Sequence, residues 1–351
     1  VVATGCIERP LLFENNERPG VMQVGCAHRL VNTYGILPGK RAVFSIGHDL
    51  GLEAALDLFD AGLEVAAIAD IREEPANTAL VSELEQREIP YLRGWVAQEA
   101  QGSPLKSVSL TTLQGTFEKK MECDLLVASA GMTPVNGPLS LAQAELTFDQ
   151  HTGFFLPSSL PAGVYAAGRV LGLNDSQAIE ASGKIAGLSA AASCGKDSAA
   201  ALSKTQETLA TRPRPEKGCK LVMAPVKGRK AFICFDEDTT VKNIKQAIAM
   251  GFDATELIKR FTAAGTGPGQ SGIPGHNLPL LVAQHHTDHG ALTRPTTMRA
   301  PLVPTLMATY AGTNHLMYKR TPMHDHQKQD GGIMRKIGVW NRARYFSDDF
   351  T

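Results

Sequence analysis

The 351-residue chain carries 35 Lys and Arg against 35 Asp and Glu, so its formal charge is zero; 43% of its residues are hydrophobic and 20% charged. That composition excludes extended disorder and supplies no global positive field for recognising nucleic acid. No run of about 18 uncharged apolar residues is present to span a membrane.

The length corresponds to two or three domains. The chain opens Val1-Val2-Ala3-Thr4-Gly5 without a basic, apolar leader, and none of its six cysteines forms a CxxC or a zinc-type spacing. These features predict reduced thiols in a cytoplasmic setting.

Residues 39–75 carry the clearest local pattern. Arg41 to Ile46 reads as a buried strand, and a turn follows at Gly47-His48-Asp49-Leu50-Gly51. Leu52, Ala55, Leu56 and Phe59 then recur at helical spacing up to Gly62, and Glu64 to Ala69 reads as a second strand closed by Asp70. Strand, glycine turn, helix, strand and acid form a dinucleotide-binding βαβ unit, with Asp70 placed 19 residues after Gly51 to hold ribose hydroxyls. The turn departs from GxGxxG: with Gly51 as the third glycine, Ile46 stands at the first and His48 at the second. A side chain at the second position obstructs close approach of a pyrophosphate.

Further along, Asp124 to Gly131 and Gly163 to Gly168 read as apolar strands ending at glycines, and Ile179 to Ala192 as a small-residue helix packed closely on a sheet. Residues 193–230 read as an irregular connection. Between Arg212 and Lys230 it holds seven basic residues and one acid, Glu216, without aromatic interleaving, which suits a solvated linker or a surface facing an acidic partner. In 231–285 an apolar strand at Phe232 precedes a helix capped by Thr240 and closed by Gly251. A second helix follows, introduced by Asp253 and Glu256, with Leu257, Phe261 and Ala264 on one face; then comes a Gly/Pro-rich loop from Gly265 to Gly275. The segment from Gly338-Val339-Trp340 to Phe346 resembles the start of a domain core. His285, His286 and His289 cluster, but HHTDH is not a metalloprotease pattern and no Cys or Glu completes a set, so no metal site is predicted.

Ala3-Thr4-Gly5, Glu8-Arg9-Pro10 and Arg18-Pro19-Gly20-Val21-Met22 resemble the corresponding stretch of flavin/pyridine-nucleotide disulfide-reductase-like oxidoreductases. The segments Lys230-Ala231-Phe232, Asp236 to Thr240, Lys259 to Thr262, Gly267 to Gln270, Thr321 to His324 and Gly338 to Trp340 are similar, in order, to the alpha subunit of heterotetrameric sarcosine oxidase. The resemblance implies an α/β fold in three parts. A partial two-dinucleotide-binding, disulfide-reductase-like Rossmann domain would span 1–195, with an inserted Rossmann unit at about 38–136. After a linker at 196–230, a small helical ferredoxin-like domain would occupy 231–288, and the start of an α+β folate-binding, aminomethyltransferase-like domain 289–351. It also implies a chain cut inside a domain at each end.

The same resemblance implies oxidation of an N-methyl amino acid such as sarcosine, with hydride passing to a flavin that O2 reoxidises. The partners would be the smaller subunits of the heterotetramer together with a flavin-carrying beta subunit, with FAD or FMN in the complex. NAD would be bound by this chain, and tetrahydrofolate at its C-terminal domain would accept the one-carbon unit. Thr4, Gly5, Gly168 and Arg169 would contact nucleotide at the main site; Gly47, Gly51, Asp70 and Gly131 follow at the second. No residue is identified as a catalytic acid, base or nucleophile.

Departures from the family pattern are specific. The cluster-ligand positions of the ferredoxin-like domain read Cys234, Asp236, Gly269 and Pro274, so a thiolate-bound iron–sulfur cluster cannot form. The Gly-Asp that helps orient a flavin reads Gly168-Arg169, which suits a nucleotide phosphate instead. Two alternatives stay open: a subunit of a related amine or opine dehydrogenase, and a non-catalytic scaffold with vestigial nucleotide sites.

Overall fold

The computed structural model describes residues 1–74, 77–213, 215, 217–218, 223–225, 230–269, 272, 274–285, 295–300, 305–311 and 318–346. The chain divides into a unit from Val1 to Val303 and a second from Pro304 to Thr351.

The larger unit is organised on a five-stranded parallel sheet. Its strand order is Val21–Met22, Leu125–Ser129, Arg41–Ile46, Glu64–Asp70 and Tyr91–Arg93. Both faces are covered, which is why the strands read as nearly continuous apolar runs. Alternation sends Ala42, Phe44 and Ile46 into a core shared with Leu52, Leu58 and Leu84 of the flanking helices Asp49–Asp60 and Thr78–Gln86. Val43, Ala66 and Leu126 face the opposite core, shared with Val96, Val108 and Leu110 of the antiparallel sheet Trp95–Gln101, Ser107–Thr112 and Glu118–Glu122. Ser45 is fully buried on that second face because its hydroxyl accepts the Ala97 N–H at 2.9 Å. The βαβ unit is therefore formed as its pattern predicts.

Two other segments differ from their patterns. Gly163 to Gly168 is not a strand: it contributes a single parallel bridge, Val2 to Ala166, and Gly168–Leu171 turns into a 3₁₀ helix. With Val2 as its one bridging neighbour, the apolar run has no ladder to extend. The helix Ser176–Ser193 follows it as the small-residue pattern predicts. The stretch read as an irregular connection contains the helix Ala199–Ala210. Its residues, Ala-Ala-Ala-Leu-Ser-Lys-Thr-Gln-Glu-Thr-Leu-Ala, are mostly good helix formers, and their propensity outweighs the Ser and Thr content.

The small helical region packs on the N-terminal segment. Leu12 enters its core beside Ile233, Val241, Ile244, Ile258 and Leu281, and the Asn16 side chain exchanges two hydrogen bonds with the Phe232 backbone, both at 2.9 Å. Thr240 caps the helix Val241–Ala249 through a reciprocal box with Asn243. The second helix, Thr255–Thr262, starts later than its D-x-x-E pattern suggests: its N-cap is Ala254, so Asp253 lies outside the helix and does not cap it. The Gly/Pro-rich loop ends earlier than read, because Pro274 starts a third helix, Pro274–His285; proline at the first position has no amide to leave unpaired.

In the second unit, Trp340–Tyr345 lies between Lys319–Arg320, parallel to it, and Ile333–Ile337, antiparallel. Helices Met307–Ala311 and His324–Gln329 complete its regular elements among the described residues.

Candidate functional site

The carboxyl ends of the central strands meet at one level, with Ile46 in register with both Asp70 and Ser129. Beyond them opens a cleft of about 270 Å³, where a parallel sheet of this kind places its ligand site. One wall is the turn Gly47-His48-Asp49-Leu50 with Glu53 and Asn77; another is Ala130, Gly131 and Met132. Cys6, Phe154, Arg169 and Leu173 form a third, and Lys217 stands at the side.

The first group of nucleotide residues is brought together. Val2 donates to the Tyr165 carbonyl at 2.7 Å and accepts from Ala167 at 2.9 Å, which sets Thr4-Gly5-Cys6 alongside Gly168-Arg169. Arg169 is exposed and bonds the Cys6 thiol. Burial pushes that thiol up, with Arg169 opposing it, so Cys6 is not held as a thiolate. Gly5 and Gly131 sit in the left-handed region, φ +71° and +108°, with no heavy atom within 4 Å of where a Cβ would be. Both leave bare backbone that a phosphate can approach. Gly168 is buried, and its N–H donates to Ser182 at 2.8 Å. The Thr4 hydroxyl is used by the Val135 carbonyl at 2.7 Å. Of these residues only Arg169 lines the cleft and is exposed; the Gly168 N–H and the Thr4 hydroxyl are engaged within the protein.

The second group divides: Gly47 and Gly131 line the cleft, whereas Asp70 and Gly51 are committed within the protein. Asp70 has no exposed surface. Its Oδ1 accepts the Arg72 N–H at 2.9 Å and Nε at 3.1 Å, and its Oδ2 accepts Arg72 Nη2 at 2.9 Å and the Tyr91 hydroxyl at 2.8 Å. The expectation that Asp70 holds ribose hydroxyls is therefore corrected: its lone pairs are occupied inside the protein. Gly51 is corrected likewise. A Cβ there would lie 2.8 Å from Ile46 Cγ2, so this glycine serves close packing of helix on strand. Gly47 lines the cleft, but the residue after it is His48, buried with Nε2 2.9 Å from Ser129 Oγ.

Ser129 also hydrogen-bonds Glu8, whose carboxylate accepts the Val24 and Gly25 N–H groups at 3.0 and 2.6 Å. Because the Ser129 hydroxyl donates to that carboxylate, it accepts from His48, which fixes the imidazole as the Nε2–H tautomer. Burial lowers the His48 pKa to about 4, assisted by Arg72, so the ring is neutral. Pattern reading treated His48 only as an obstruction, and it missed Arg72, Ser129 and Glu8. The one available signal was Arg72 standing two residues after an acid at a strand end.

At the former cluster positions, Cys234 is buried and its sulfur accepts the Gly265 N–H at 3.3 Å, while Asp236 Oδ2 accepts the Gly269 N–H at 2.7 Å. Among the described residues no three His, Cys, Asp or Glu side chains are grouped to share a metal; His286 and His289, and the His285 side chain, lie outside the described residues, as does most of the basic stretch after Arg212.

Comparison with known proteins identifies the relationship. The Sarcosine oxidase A3 domain pattern matches residues 228–314. The sarcosine oxidase alpha subunit of Corynebacterium sp. (strain P-1) is 28% identical over 99% of this chain. The chain is similar to sarcosine oxidase alpha subunits. It spans 37% of that relative's length. An opine oxidase subunit of Agrobacterium tumefaciens (strain Ach5) is 25% identical, over 90% of this chain and 69% of its own length. Among solved structures, L-proline dehydrogenase from P. horikoshii superposes with a TM-score of 0.67 at 20% identity, over 87% of this chain and 57% of that one. That likeness establishes the α/β fold.

Proposed function

We propose that this chain is part of the alpha subunit of a flavin-dependent amine oxidase whose substrate is sarcosine or a similar N-methyl amino acid. The observation that carries the reading is the sarcosine oxidase alpha likeness along 99% of the chain, across both the nucleotide-fold and the small helical regions. In the complex, flavin on a beta subunit supplies the hydride acceptor. This chain contributes nucleotide binding and subunit contacts, in the cytoplasm, beside the smaller subunits of a heterotetramer.

NAD is the nucleotide best suited to the chain. Arg169 would meet its phosphates, with Gly131 across the cleft, while Thr4, Gly5 and Gly168 shape the backbone that holds Arg169 there. Arg169 stands where a flavin site would carry a carboxylate, and its guanidinium offers a planar donor pair to a phosphate. The segment from residue 289 onward begins a domain that takes tetrahydrofolate and receives the one-carbon unit.

The test is steady-state oxidation of sarcosine by the co-expressed full complex, with and without tetrahydrofolate. Peroxide formation, with formaldehyde replaced by methylenetetrahydrofolate when the folate is present, supports the reading. Absence of both peroxide and amine turnover refutes it. The opine oxidase likeness favours a second reading, an opine-oxidising subunit, so the same assay with an opine distinguishes the two. A complex that turns over neither amine and releases no NAD on acid extraction is a scaffold.

A further inference from the structure

A βαβ unit that binds a dinucleotide needs three things free: an acid at the end of its second strand, space over the glycine turn, and an unoccupied helix N-terminus. The unit Arg41–Asp70 has all three elements in place, and its acid and its helix start are committed internally. The acid is Asp70, buried and held by four donors. The helix Asp49–Asp60 begins with its own carboxylate, Asp49, in the first turn. The Arg72 guanidinium joins the two: Nη2 binds Asp70 at 2.9 Å and Nη1 binds Asp49 at 2.8 Å, with its side chain 9% exposed.

The turn lines the cleft, but the position that a second glycine would leave bare carries a side chain. His48 stands where the second glycine would be and is anchored to Ser129, in the neighbouring parallel strand. A pyrophosphate arriving at this helix start would meet the Asp49 carboxylate, and a ribose would have to displace a buried ion pair to reach Asp70. Displacing one member of such a pair leaves the other charge buried and uncompensated.

We infer that Arg72 is a built-in occupant of the second dinucleotide site, bridging the ribose-type acid to the helix start, and that this Rossmann unit binds no nucleotide. It serves instead as a rigid wall of the cleft. The chain then takes a single dinucleotide, at Arg169; this last step rests on the proposed NAD binding, whereas the closure of the second turn does not.

The experiment uses the full-length chain co-expressed with its partner subunits and stripped of nucleotide, titrated with NAD by calorimetry. Wild type is compared with Asp70→Asn and Arg169→Gln. The closed turn predicts at most one NAD per alpha chain, with affinity changed less than about twofold by Asp70→Asn and weakened by about tenfold or more by Arg169→Gln, the loss of a charge-assisted phosphate contact. Two NAD per chain, or one whose binding is abolished by Asp70→Asn and indifferent to Arg169→Gln, overturns the inference. No NAD at all upholds the closed turn and refutes the proposed NAD binding, so the two failures are separable. If Asp70→Asn does not fold, the wild-type stoichiometry and the Arg169 variant still decide the matter.

Discussion

Replacing Arg72 by Ala tests the clamp at the heart of the cleft wall. The substitution removes three charged hydrogen bonds: Nε to Asp70 Oδ1 at 3.1 Å, Nη2 to Asp70 Oδ2 at 2.9 Å and Nη1 to Asp49 Oδ1 at 2.8 Å. Asp70 keeps the Arg72 backbone N–H and the Tyr91 hydroxyl, but its charge stays buried without a cation. Asp49, with 18% of its side chain exposed, recovers some hydration. Removing one partner of a buried pair costs about 3–5 kcal/mol, and the Asp70 side of the clamp accounts for most of it here. Urea unfolding followed by tryptophan fluorescence in a Trp340→Phe background isolates Trp95, at the start of the strand Trp95–Gln101 packed under the sheet. The double variant Asp70→Asn/Arg72→Met removes both charges and should be less destabilised than Arg72→Ala alone. A cost for Arg72→Ala below about 1 kcal/mol would refute the reasoning, because that is the value of an exposed pair.

Three further outcomes follow from the same contacts. His48 has its folded pKa lowered to about 4 from 6.5, so the unfolded chain takes up a proton first as pH falls. Stability from this group is therefore whole above pH 6.5 and declines towards pH 4, at up to about 1.4 kcal/mol per pH unit, and His48→Gln should flatten that decline in a denaturation series across the range; an unchanged slope would contradict the neutral buried ring. Gly51→Ala sets a Cβ 2.8 Å from Ile46 Cγ2 and should destabilise by about 1–3 kcal/mol despite better helix propensity, with Ile46→Val relieving part of the cost. Thr240→Ala breaks the reciprocal cap with Asn243 and should cost about 1 kcal/mol, read by thermal melting; no change would mean that the small helical region does not depend on that cap.

The βαβ unit was legible because its determinants are local. Apolar runs of strand length, a helical repeat from Leu52 to Phe59 and glycines at the breaks specify it within about thirty residues. The helix Val241–Ala249 was legible for the same reason, through Thr240 and Gly251. The elements that failed did so where a partner decides: Gly163 to Gly168 has strand composition but only Val2 to bridge, and Asp253 has capping chemistry but stands one residue too early.

The site divides along the same line. Spacing marked Gly47, and the family resemblance marked Gly131 and Arg169; all three line one cleft. Whether an acid at a strand end is free for a ribose is not a local property. Asp70 is consumed by Arg72 two residues on, by Tyr91 from the next strand, and through Arg72 by Asp49 at the start of the preceding helix. Nor does sequence fix the tautomer of His48, which depends on Ser129 and Glu8 meeting it from separate segments. Sequence determined that this chain builds a Rossmann unit, since backbone conformation follows short-range pattern. Tertiary structure alone decided that Asp70 is buried and paired, since the availability of a charge depends on which distant groups are buried against it.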